Sequence, residues 1–136
     1  MRDPIFLLDS NVLLDILTDD PVWGDWSANT LDKASKSGIL AINPVIYAEV
    51  SIGFSNIAMV DQALPSNVFV RLPIPYEAAF LAGKSFVAYK RRGGAKNAVL
   101  PDFLIGAHAS VEHLTLLTRD CARYRTYFPD IQLIHP

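Results

Sequence analysis

The chain has 136 residues, 51% of them hydrophobic, and a formal net charge of −2. That length and apolar content suit one compact domain over residues 1–136, and the charge excludes a broad basic field of the kind that draws a sequence-reading protein onto DNA. One cysteine, Cys121, excludes a disulfide framework, no apolar run approaches the roughly 20 residues of a membrane span, and Asp3-Pro4 interrupts any signal-like start, so a cytoplasmic protein with no membrane contact is expected.

In chain order, short apolar runs alternate with helix-length segments. Ile5–Leu8 reads as a strand buried on both faces, as in a parallel sheet. Residues 10–18 follow, with Val12, Leu13, Ile16 and Leu17 at helical spacing. A second helix is predicted over residues 23–37, stopped by Gly38; Trp23 and Trp26 in it are expected to pack against a neighbouring helix or a partner. Ile39–Ile42 is the second strand. Asn43-Pro44 supplies an N-cap and a proline at the first helical position, starting a helix that carries Glu49. Residues 56–64 form a short helix closed by Pro65, and residues 68–72 a third strand. Pro75 opens a long helix to Arg92 that breaks at Gly93-Gly94, and the stretch 93–100 reads as a mobile loop. Pro101 opens the next helix, to about His113, and residues 114–117 and 131–134 complete the strands. This alternation implies βαβ units, right-handed crossovers and a mainly parallel sheet.

Asp9, Glu49, Asp102 and Asp120 each stand at the edge of one of these apolar elements, and no cation follows the same pattern. Buried acids need partners; if the fold gathers these, a divalent metal is the usual source of the missing positive charge. Each also has a plainer reading. Asp9 or Ser10 would serve as a helix cap. Glu49, on an apolar helix face three residues after Ile46, would take a buried salt bridge. Asp102 suits the positive end of a helix dipole, and Asp120 would cap a turn. Ser10, Asn11 and Thr118 are placed to orient a water or a phosphate oxygen. Around Asp102, Gly106 and Ala107 suggest that another backbone approaches closely.

Two basic groups flank the acids: Lys90, Arg91, Arg92 and Lys96, then Arg119, Arg123 and Arg125. Either would form a solvated surface, but their position favours phosphate contact, with Arg92, Lys96 and Arg119 as the candidates. His108, His113 and His135 have no metal-ligand spacing, and Cys121 has no paired histidine to make it a nucleophile. Gly83-Lys84-Ser85 imitates the end of a phosphate loop, but the glycine required five residues earlier is Ala78, and the segment reads as helix interior.

In order and spacing, Leu8-Asp9-Ser10-Asn11, Asn43 to Glu49, Pro101-Asp102 to Ala109, Leu117-Thr118-Arg119-Asp120 and Arg123 to Pro129 resemble the PIN-domain family, and within it the VapC toxins of bacterial toxin–antitoxin pairs. The resemblance covers nearly the whole chain. It implies a Rossmann-like three-layer α/β/α sandwich with a five-stranded, mainly parallel sheet, and a Mg²⁺- or Mn²⁺-dependent endoribonuclease that would inhibit translation and growth. The family's acidic cluster falls on Asp9, Glu49, Asp102 and Asp120, with Asp9, Asp102 and Asp120 as metal ligands; its hydroxyl or amide positions match Ser10, Asn11 and Thr118. A homodimer and a small VapB-type antitoxin are implied, with operator DNA met only through the antitoxin. Trp23, Trp26, Ile52, Phe54 and Ile57 are candidates for that contact. Two alternatives stand beside it: a non-catalytic binding module whose acids hold a structural metal or a partner's arginine, and a haloacid-dehalogenase-like phosphatase, which needs a second aspartate where Asn11 stands.

Overall fold

The computed structural model describes residues 3–96 and 99–136. Its element order is β1 (Ile5–Leu8), α1 (Ser10–Leu17), α2 (Gly24–Ser37), β2 (Ile39–Ile42), α3 (Pro44–Ser51), α4 (Ile57–Ala63), β3 (Phe69–Arg71), α5 (Tyr76–Arg91), α6 (Leu100–Glu112), β4 (Thr115–Leu117), α7 (Ala122–Tyr127) and β5 (Gln132–Ile134). The strands form one five-stranded sheet in the order β3-β2-β1-β4-β5, every neighbouring pair parallel.

β1 is central because both its faces are apolar: Phe6, Leu7 and Leu8 are all buried, as are Leu116 and Leu117 beside them. Right-handed crossovers carry α1 to α4 over one face and α5 to α7 over the other, and the packing agrees: α1 lies on α2 and α3, while α6 lies on α5 and α7. The result is the expected three-layer α/β/α sandwich.

The sequence anticipates eleven of these elements, and the twelfth, α7, is new. It is one short helix, its N-cap Cys121 makes no side-chain cap, and nothing in Ala122–Tyr127 repeats long enough to show helical periodicity. Gly106 lets it in. A Cβ at Gly106 would meet the Phe128 ring at 2.5 Å and Tyr124 at 3.0 Å, so the close approach expected there is made by aromatic side chains of and beside α7, not by another backbone. Gly38 also plays a different part from a left-handed stop. Its φ is −173°, ordinary extended backbone, and glycine is required because a Cβ would lie 2.2 Å from the Pro4 carbonyl oxygen.

Two polar devices lock the helices to the sheet. The Asn43 side chain accepts from the Ile46 amide at 2.9 Å, capping α3. Its Nδ2 then faces Nδ1 of the buried His108 on α6 at 3.0 Å. Since the cap occupies the amide oxygen, Nδ2 donates and His108 Nδ1 accepts, which fixes a neutral imidazole with its proton on Nε2; burial also pushes the His108 pKa below its usual value. The fold thus gives His108 a structural role. Gly83, Lys84 and Ser85 lie inside α5, as expected for a segment that is no phosphate loop. The predicted loop over 93–100 includes residues 97 and 98, which lie outside the described residues. No helix among the described residues is long and apolar enough to cross a membrane.

Candidate active site

The β1–β4 register sets Leu8 opposite Leu117, so the next residues, Asp9 and Thr118, meet beyond the C-terminal strand ends, where ligands bind in open α/β sheets. The Asp9 amide extends the ladder to the Leu117 carbonyl at 2.9 Å. Asp9 occupies the N-cap position of α1 but makes no side-chain cap. Its carboxylate turns into the crevice instead, where Oδ2 accepts from Thr118 Oγ1 at 2.8 Å and Tyr124 Oη at 2.9 Å. Capping is therefore not why the residue is there.

Thr118 is held in turn. Its hydroxyl accepts from the Asp120 amide at 3.2 Å and from Asn11 Nδ2 at 3.4 Å, while Asn11 Oδ1 accepts from the Arg119 amide at 3.2 Å. Asn11 is thus a brace between α1 and the β4 turn. Ser10 donates to Glu49 Oε1 at 2.9 Å, which aims the α3 carboxylate toward α1 and leaves Oε2 for other work. Asp102 projects from the first turn of α6. There it takes a 2.5 Å hydrogen bond from Arg123 Nη1.

Asp9, Ser10, Asn11, Asp102 and Asp120 line one crevice together with Arg123 and Tyr124. Glu49 joins them electrostatically. The structure therefore brings all four sequence-nominated acids to one place, although among the described residues no three acidic or imidazole groups stand close enough to form a ready-made metal cage. Arg123 and Tyr124 are the residues that sequence reasoning missed as site members. Arg123 was legible as one of a basic group and, with Tyr124, as part of the stretch from Arg123 to Pro129 that carries the resemblance, but nothing there marked either as a member of the site.

The electrostatics separate this site from ordinary buried charge. Asp9 is 4% exposed and its pKa is raised to about 6, chiefly by burial and further by repulsion from Asp102 and Glu49, against the lowering effect of its two hydrogen bonds. Burial also raises Glu49 and Asp102; Ser10 opposes the shift in the first and Arg123 in the second. Asp15 is the instructive contrast, an acid 3% exposed that the sequence did not single out. Ser27 donates to it at 2.8 Å, Arg119 Nη2 at 3.0 Å, and Arg119 Nε lies 3.0 Å away. That is a closed structural ion pair. No comparable cation reaches Asp9 among the described residues.

The basic candidates divide accordingly. Arg119 is committed to Asp15 and stacks over the Trp23 ring at 5.6 Å, and it is not among the residues that line the crevice. Arg92 lies over Tyr127 at 5.2 Å. Lys96 is close enough to Asp102 to be felt by its carboxylate. Of the apolar residues nominated for partner contact, Ile52 and Ile57 are 86% and 70% exposed, whereas Trp26 and Phe54 pack on the core.

A PIN-domain family model matches residues 6–129. The chain belongs to the PIN-domain family. Solved structures of the same fold cover almost all of it. The structure of VapBC2 from Rickettsia felis, bound to a DNA fragment from its promoter, has a TM-score of 0.74 at 20% identity, over 97% of this chain and 98% of that one. VapBC-1 from nontypeable Haemophilus influenzae gives 0.72 at 18% identity over 96% and 97%, and FitAcB from Neisseria gonorrhoeae 0.67 at 21% over 95% and 96%. No curated protein matches the sequence. As a PIN domain, the chain has its four nominated acids directly after β1, on α3, on α6 and in the turn after β4.

Proposed function

We propose that this PIN domain is a Mg²⁺- or Mn²⁺-dependent endoribonuclease, the toxin of a toxin–antitoxin pair, whose activity slows translation and growth. The observation that carries the reading is Asp9: a buried carboxylate with no cation beside it among the described residues, its pKa raised to about 6 by burial and by repulsion from Asp102 and Glu49. A charge left unneutralised in the core is costly, and a crevice offering carboxylate, hydroxyl and amide oxygens suits a hard divalent cation.

Asp9 Oδ1 and Asp102 would hold the ion, with Asp120 completing its surroundings directly or through water. The ion supplies a Lewis acid beside the scissile phosphate and offsets the negative charge that develops there. Thr118 and Tyr124 fix the Asp9 carboxylate by holding Oδ2. Glu49, steadied at Oε1 by Ser10, would accept a proton from the attacking water at Oε2. Lys96 and Arg92 would meet backbone phosphates. Arg119 contributes to the turn instead, through Asp15. The phosphatase alternative loses ground because Asn11, where its second aspartate would stand, is spent on Thr118 and the Arg119 amide.

The partner is proposed to be a small VapB-type antitoxin, through which alone operator DNA would be bound. Its support is the likeness to VapBC and FitAcB structures. The exposed Ile52 and Ile57 suit that contact. A homodimer is proposed as well, and Tyr76 and Phe80, 94% and 68% exposed on α5, offer apolar surface for one. The 136 residues would work as one domain in the cytoplasm.

The purified protein should cut single-stranded RNA with Mg²⁺ or Mn²⁺ and stop in EDTA. RNA retained but uncut would favour the binding-module reading, and cleavage in EDTA would remove the metal from the mechanism. Tyr124→Phe gives a finer test. The tyrosine hydrogen bond lowers the Asp9 pKa, so its loss should move the acid limb of the pH–rate profile to higher pH. Cleavage should fall roughly severalfold near pH 6 and less than about twofold near pH 8. An acid limb that stays in place would mean that Asp9 does not set it.

A further inference from the structure

Arg123 decides the charge balance of the crevice. Its Nη1 donates to Asp102 Oδ2 at 2.5 Å, and the two side chains keep 26% and 36% of their exposure. Its guanidinium also lies 5.8 Å from the centre of the Tyr89 ring on α5. The cation at this site is therefore a side chain on the crevice rim, held by one carboxylate oxygen and one ring face. The deeper Asp9 has none among the described residues.

An ion that takes Asp102 as a ligand meets this guanidinium already seated on Oδ2. Two cations on one carboxylate oxygen repel, and the arginine is the one with somewhere to go. The crevice shared with Asp9 and Asp120 keeps any movement short. Tyr124 stays anchored to Asp9, so α7 need not shift. A guanidinium fork fits phosphate oxygens as well as it fits a carboxylate.

We propose that Arg123 is a built-in counter-ion for Asp102, displaced when a divalent cation binds, and that the released guanidinium then contacts a phosphate of the RNA. This rests on the metal-dependent nuclease reading above. It gives Asp102 a neutralised metal-free state and ties RNA contact to metal loading, since the arm is free only when the ion is in place.

The test is calorimetric titration of the full metal-free chain with Mn²⁺, without RNA, for the wild type, Arg123→Gln, Arg123→Lys and Lys96→Gln. Arg123→Gln should bind Mn²⁺ about tenfold more tightly because the competitor is gone. Lys96→Gln should change affinity by less than about twofold, since Lys96 acts on Asp102 only through space. In cleavage assays Arg123→Gln should raise KM for RNA and weaken its salt dependence by about one phosphate contact. Unchanged or weaker Mn²⁺ binding by Arg123→Gln overturns the proposal. Equal tightening by Lys96→Gln does so too, because the effect would then be general charge rather than displacement. If Arg123→Gln does not fold by circular dichroism, Arg123→Lys decides: a smaller tightening supports displacement, since lysine lacks the fork, and wild-type affinity overturns it. Should the wild type itself bind no Mn²⁺, the nuclease reading falls and takes this proposal with it. Wild-type binding with an unaltered Arg123→Gln removes this proposal alone.

Discussion

Asp9→Asn is expected to abolish cleavage and, at the same time, to make the metal-free protein more stable. The loss should be roughly 10³-fold or more, because several kcal/mol of charge stabilisation at the phosphate leaves with the ion. The gain follows from burial. Asp9 titrates near 3.8 when unfolded and at about 6 when folded. Below about pH 4 both states carry the proton and folding meets no penalty; above pH 6 both have lost it and the penalty is complete. A shift of about two units corresponds to ~3 kcal/mol, lost from wild-type stability as pH rises between those limits. Asparagine removes the charge and keeps an oxygen for Thr118 and Tyr124. In EDTA at pH 8 the variant should therefore melt higher than wild type, by roughly 5–10 °C, and should show a flatter dependence on pH. Adding Mn²⁺ should raise the wild-type Tm and leave the variant's almost unmoved. A variant that melts lower than wild type at pH 8 without metal would contradict this account of Asp9.

The second large effect lies in packing. Phe103 on α6 is fully buried, with its ring centre 5.1 Å from Tyr127, 5.7 Å from Tyr89, 6.3 Å from Phe128 and 6.4 Å from Phe86, all edge-on. This cluster ties α5, α6 and α7 together, and Asp102 is the neighbouring residue. Phe103→Ala should cost about 3–5 kcal/mol and lower Tm by roughly 10–20 °C. Cleavage should also fall at temperatures where the variant is still folded, because α7 loses the ring against which it docks and carries Tyr124 and Arg123 with it. Chemical denaturation monitored by circular dichroism measures the first effect. A cost under about 1 kcal/mol would mean that the cluster does not hold α7.

The strands were legible because a parallel strand buried on both faces must be apolar throughout, and Ile5–Leu8 and Ile39–Ile42 fall where that pattern puts them. The helix starts at Asn43 and Asn56 were legible because their side chains cap the next turn. The boundary of α2 was placed one residue early, since Trp23 is its N-cap rather than its first turn. α7 was missed because a helix of six residues has no periodicity to read.

The candidate site divides along the same line. An acid at the edge of an apolar element is a local signal, and Asp9, Glu49, Asp102 and Asp120 carry it. A partner's identity is not local. Nothing near Asp15 in the sequence marks it as buried, and its cation, Arg119, is 104 residues away. Arg119 looked like a phosphate contact until the fold showed that it was already engaged. Arg123 and Tyr124 reach Asp102 and Asp9 across separations of 21 and 115 residues.

By itself, then, the sequence determined the alternation of elements, the parallel sheet and which acids stand at strand and helix ends, because burial and capping act over one strand or one helical turn. Only the tertiary structure decided which of those acids is neutralised and which is left charged in the core. Coulomb attraction and hydrogen bonding depend on distance in space, and the chain order of Asp9, Asp15, Asp102, Arg119 and Arg123 says nothing of that distance until β1 and β4 lie side by side and α7 closes over them.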